Sequence, residues 1–185
     1  MNNNFYWALL ISLLFAQASF SAHAREVLEG RVVGVHDGDT VTLLVNEKNR
    51  VKIRLAQIDA PEKAQAFGEQ SKQSLSDLVF NKHVRIEKDN VDKHGRTVGT
   101  ILVNGVDANK EQVKKGMAWV YKQFMHDQSL LGLENDARQA RLGLWSDRDP
   151  TPPWKFRREH KIGKVNKLKR IMKKAKGNSL APSSQ

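Results

Sequence analysis

Apolar and polar positions alternate through the first half of the chain and then switch to a three-to-four spacing. Val27 to Val35 is rich in Val and ends at the turn dipeptide Asp37-Gly38, which predicts a strand closed by a tight turn. Strands are also expected at Thr40 to Val45 and Val51 to Ile58, separated by the polar turn Asn46-Glu47-Lys48-Asn49. Within the second, Val51, Ile53 and Leu55 share one face while Lys52 and Arg54 take the other. Ser71, Leu75, Leu78 and Val79 then recur at helical spacing up to Asn81. Val84 to Lys88 and Thr97 to Val103 read as strands around Asp92-Lys93-His94-Gly95. A short helix opens at Asp107 as N-cap and stops at Gly116, Met117 to Tyr121 is extended, and a last helix runs from Leu130 to Leu142 with Gly143 as its stop. Five short strands with helices entering late point to an α+β domain: a five-stranded Greek-key barrel of the OB type with about three helices.

Charge divides the chain further. The formal net charge is +11, from 31 Lys and Arg against 20 Asp and Glu. Almost all of that excess lies in a basic tail beyond Trp154, where Glu159 is the one acidic residue, and Pro150, Pro152 and Pro153 mark the junction. The segment 25–149 is therefore read as the domain and 150–185 as junction and tail. In the tail Ile162, Val165, Leu168, Ile171 and Ala175 recur every three or four residues among Lys and Arg. That pattern suits a nucleic-acid-binding helix, a helix on an anionic membrane, or a solvated end. At the other end, residues 1–24 carry no Lys, Arg, Asp or Glu, and the apolar run from Phe5 to Ala16 ends in Ser-Ala-His-Ala. The run is shorter than the roughly 20 residues a bilayer core requires. A secretory signal cleaved after Ala24 is expected, with an uncleaved anchor as the alternative, placing the protein in a secreted or periplasmic setting. The absence of Cys excludes disulfides, thiol catalysis and thiolate metal sites.

Three clusters remain that could carry chemistry: Asp37-Gly38-Asp39-Thr40, Arg54 through Glu62, and Lys93-His94-Gly95-Arg96. Each alone has an ordinary reading, as an Asp-Gly turn, a solvated strand arginine and a polar hairpin. An EF-hand loop starting at Asp37 fails, because Thr42 and Lys48 stand where Gly and Glu are needed. The histidines lack the short spacings of helical zinc motifs. Carboxylate oxygens as candidate ligands favour a hard cation, Ca²⁺ or Mg²⁺.

In that order and on those elements the clusters resemble the staphylococcal nuclease (thermonuclease) family. Further likeness comes from Asp107-Ala108-Asn109, Gly116-Met117-Ala118-Trp119-Val120-Tyr121 and Gly143-Leu144-Trp145. The resemblance implies an OB-fold barrel bearing a Ca²⁺-dependent phosphodiesterase site that acts on DNA and RNA and leaves 3′-phosphate ends. Carried over residue by residue, Asp39 and Asp59 would be metal carboxylates and Ala60 would offer its backbone carbonyl. Arg54 and Arg96 would hold the scissile phosphate, and Glu62 would activate or position the water. Asp37, Lys93, His94, Trp119 and Tyr121 are lesser, substrate-binding candidates. His94 and Trp119 both replace a Tyr of the family pattern.

The charges of this set are what the reaction asks for. Three carboxylates against two arginines leave the metal-free site net −1, repelling a phosphodiester, and one divalent ion reverses that sign. Arginine suits the phosphate positions because its planar fork matches two oxygens and stays charged. Substituting Lys for either arginine is expected to cost turnover and leave stability unchanged. The chemistry is expected to lie wholly within the domain, the tail adding affinity for long polymers. A monomer without protein partners is expected, and the competing function is a non-catalytic OB module that binds nucleic acid.

Overall fold

The computed structural model describes residues 26–178, so the expected signal segment lies outside the described residues. Five strands form a closed barrel: β1 (Val27–Val35), β2 (Thr40–Val45), β3 (Asn49–Leu55), β5 (His83–Val91) and β6 (Thr97–Val103). They pair antiparallel in the order β3-β2-β1-β5-β6, and a parallel pairing of β3 with β6 closes the ring. Alternation is the reason these segments can close. Val32, Val41, Leu43, Ile53, Leu55, Val84, Ile86, Ile101 and Val103 all point inward and are buried. The expected α+β architecture on a five-stranded barrel is what the chain adopts.

Two expectations about strands need correcting. The segment Val51 to Ile58 is not continuous, because Gln57 takes a left-handed conformation (φ 65°) and breaks the ladder. Beyond the break the chain forms a separate two-residue strand, β4 (Ile58–Asp59), antiparallel to β8 (Trp119–Val120). This kink turns Asp59 off the barrel wall. β5 also extends past Lys88 to Val91, through a bulge between Lys88 and Asn90.

Among the described residues four helices accompany the barrel and a two-residue strand, β7 (Val106–Asp107). α1 (Gly68–Val79) buries Ser71, Leu75 and Val79. α2 (Ala108–Lys114) is capped as expected, the Asp107 carboxylate accepting from the Lys110 amide. α3 (Ser129–Gln139) ends earlier than the helical spacing predicts, and Gly143 instead opens a 3₁₀ turn, Gly143–Ser146. There the Leu144 amide donates to the Gly116 carbonyl at 2.9 Å. Gly116 (φ 65°) has no room for a side chain, since a Cβ would strike the Leu142 carbonyl.

The basic tail is the fourth helix, α4 (Pro153–Asn178). Pro153 begins it, where a fixed φ and a missing N–H cost nothing, and the Pro152 carbonyl accepts from the Lys155 and Phe156 amides. Its first turns pack on the domain; Ile162, Val165, Leu168 and Ile171 are exposed. Among the described residues no helix is long and apolar enough to cross a membrane.

Candidate active site

The site begins with buried polar groups that fix the Asp37–Asp39 turn. Gln112 of α2 is fully buried, and its amide donates to the Gly38 carbonyl (2.8 Å) and the Ser71 carbonyl (3.0 Å). Asn109 does the same for the barrel seam: it donates to the Ala56 and Gly99 carbonyls and accepts from the Ile101 amide. With the turn clamped, the Asp37 carboxylate accepts from the Asp39 amide, and the Leu55 amide donates to the Asp39 carbonyl.

Asp39, Arg54 and Asp59 then meet. Arg54 Nη1 lies 2.8 Å from Asp39 Oδ2, and Nη2 lies 2.8 Å from Asp59 Oδ1. Asp39 Oδ2 also accepts from the Ala60 amide (2.7 Å), and Oδ1 from the Thr40 hydroxyl (2.9 Å). Both carboxylates are nearly inaccessible, at 5% and 1% exposure. Burial pushes the Asp39 carboxyl up to about 6, with Asp37 adding to the rise and Arg54 opposing it. Asp59 is raised for the same reason, against Arg157 and Arg54.

Arg96 stands apart from this trio. The parallel register sets Val98 against Arg54, so Arg96, two residues earlier, points to the same side of the sheet. Asp92 holds it: its carboxylate accepts from Arg96 Nε (2.7 Å) and from the amides of Arg96 and His94. Burial acts to raise the Asp92 carboxyl, but the bonds from Arg96 and His94 together outweigh it and hold the group down at about 2. Lys93 and His94 lie exposed at the hairpin tip. Trp119 is enclosed by Trp145 (4.3 Å between ring centroids), Trp154 and the Arg138 guanidinium. Tyr121 is half-buried, with the Trp154 ring stacked on it at 5.5 Å.

Two functional neighbours are not evident from the sequence pattern. Asp92 reads there as an ordinary turn residue, although an acid four positions before an arginine in a hairpin is a usable signal. Arg157 reads as one of many tail cations, yet it enters the site. Its Nη1 donates to Asp59 Oδ1 (3.1 Å) and Glu62 Oε1 (2.8 Å), and its Nη2 to Asp59 Oδ2 (2.8 Å). This contact brings Glu62 into the cluster and adds a tail residue beside side chains that all come from the domain. Only the Trp-Lys-Phe-Arg sequence after the prolines hints that the tail begins with an anchor.

As donors, Asp39, Asp59 and the Ala60 carbonyl are hard oxygens and suit Ca²⁺ or Mg²⁺ in kind. Among the described residues no three His, Asp or Glu side chains form a closed metal cage, so water would have to complete the shell.

Residues 52–147 match the family described as "Staphylococcal nuclease homologue". Over 154 residues the chain is 46% identical to a Haemophilus influenzae protein named "Uncharacterized endonuclease", covering 83% of this chain and 86% of that one. It is 41% identical over 143 residues to the "Micrococcal nuclease" of Shigella flexneri (71% and 82% covered). To "Protein ParB" of Escherichia coli it is 41% identical over 170 residues (86% and 96% covered).

Proposed function

The chain belongs to the staphylococcal nuclease family, and on that premise we propose that it is a secreted or periplasmic, Ca²⁺-dependent endonuclease of DNA and RNA that leaves 3′-phosphate ends. The observation that carries the reading is Arg54 held between two buried carboxylates, 2.8 Å from each. A strand arginine with a merely solvated role has no reason to be so placed.

Asp39, Asp59 and the Ala60 carbonyl would hold the cation. When bound, that ion supplies the positive charge that lets an anionic phosphodiester enter and be attacked. Arg54 and Arg96 grip the phosphate oxygens on which charge builds up, through donors fixed in advance by Asp39, Asp59 and Asp92. Glu62 is 39% exposed at its side chain, open enough to orient the attacking water once Arg157 moves. Lys93 and His94, exposed on their hairpin, suit contacts to neighbouring phosphates.

Incubating the purified protein with DNA and with RNA, in Ca²⁺, Mg²⁺ or chelator, tests the proposal. Cleavage of both polymers in Ca²⁺, lost in chelator, with 3′ ends that a polymerase extends only after phosphatase treatment, is the expected result. Binding without cleavage under every metal would favour the non-catalytic module. Undiminished cleavage in chelator would remove the metal.

A further inference from the structure

Asp59 receives hydrogen bonds on both oxygens, from Arg54 and Arg157 on one and from Arg157 on the other. The two arginines differ in how they are mounted. Arg54 belongs to a barrel strand and is 13% exposed at its side chain. Arg157 is 44% exposed and rises from the start of a helix that otherwise runs into solvent. Two further contacts seat that helix over the site. The Gln65 side chain, in the loop after Glu62, donates to the Thr151 carbonyl and accepts from the Glu62 amide. Trp154 lies parallel to the Tyr121 ring, 5° between planes, covering the aromatic face.

We propose that Arg157 is the site's internal counter-cation: it pairs with Asp59 and Glu62 in the metal-free protein and must withdraw for a divalent ion to bind Asp59. Water stabilises a buried carboxylate poorly, so its charged form depends on a cation close by. A guanidinium seated across both oxygens of Asp59 takes the space and most of the lone pairs a divalent ion needs there, and the like charges repel. Arg157 is thus a positioning residue that sets metal affinity from outside the segment 52–147. Its release also frees Glu62 for water. This inference rests on the metal-dependent reading above.

The test is calorimetric titration of Ca²⁺ into the wild-type protein, Arg157→Gln, Arg157→Lys and, as control, Lys161→Gln, whose side chain lies one turn further along α4. Arg157→Gln should bind Ca²⁺ at least about tenfold more tightly, the factor equivalent to 1.4 kcal/mol. Arg157→Lys should stay nearer the wild type because it keeps the charge, and Lys161→Gln should match it. Melting curves guard against a folding artefact: Arg157→Gln should melt lower than wild type in chelator and gain more from saturating Ca²⁺. Equal or weaker Ca²⁺ binding by Arg157→Gln, with wild type binding normally, would overturn the counter-cation role and leave the nuclease reading intact. Absence of Ca²⁺ and Mg²⁺ binding in every protein would overturn both.

Discussion

Arg54 bridges two buried carboxylates, so its structural role and its proposed chemical role cannot be separated by the usual conservative change. Lysine keeps one charge but cannot span from Asp39 to Asp59, and one carboxylate is left without its partner. Contrary to the expectation from sequence, Arg54→Lys should therefore lose stability as well as turnover. Roughly 2–3 kcal/mol is expected, a fall of about 4–12 °C in melting temperature, measurable in a thermal scan in chelator. Asp92 supplies a second prediction at this scale. Its carboxyl is held below the ordinary carboxylate value, at about 2, so its stabilisation is present above about pH 4 and is lost as pH falls toward 2. The carboxylate is partly solvated, so the contribution should be about 1–2 kcal/mol. The stability gap between wild type and Asp92→Asn should be constant from pH 7 to 5 and close between pH 4 and 2 in denaturant titrations. At pH 7 the variant should also lose turnover about tenfold or more, because Arg96 no longer has its fork oriented. Asp39, Arg54 and Asp59 are legible in the sequence through the joint resemblance of three clusters to the staphylococcal nuclease family, each cluster alone reading as an ordinary turn or strand. Arg157 is not, since its partner lies 98 residues away and no local pattern encodes that distance.

Elements position these residues through a few tight packings. The turn between β1 and β2 lies against α1 and the Ala60 backbone, and a Cβ on Gly38 would meet Ser71 Oγ and stand 2.8 Å from the Cβ atoms of Ala60 and Ser71. Gly38→Ala should cost about 1–3 kcal/mol by overpacking and shift the Asp39 carboxylate, so that Ca²⁺ binding weakens more than stability falls. Titration calorimetry set beside a melting curve would show this. Alternation and turn residues are enough to place β1, β2 and β6 with correct ends. They fail at Gln57, where an ordinary residue adopts a left-handed conformation (φ 65°) only because β4 must leave the barrel to pair with β8. They fail again at the end of α3, where the helix stops at Gln139 and the approach of the Gly116 and Gly143 backbones sets the path beyond it.

Across the whole molecule, a nearly neutral domain carries a strongly basic helix whose first turns belong to the site. Truncation should therefore have two separable outcomes. Removing residues 161–185 takes away 8 basic residues and no acidic ones while sparing Trp154 and Arg157. If about four of those cations touch phosphates, the log–log salt slope of duplex binding should flatten by roughly three to four units. Turnover of a dinucleotide-sized substrate should not change. The site itself is judged best at Arg96, since its ion pair is with Asp92 and the Asp39–Arg54–Asp59 cluster stays intact when it is altered. The decisive measurement is the single-turnover cleavage rate of an end-labelled oligonucleotide in saturating Ca²⁺, for the wild type and for Arg96→Lys. A phosphate-gripping Arg96 requires a loss of several orders of magnitude, with melting temperature within a few degrees of wild type. A loss of less than about tenfold, near 1.4 kcal/mol in the barrier, would contradict that role.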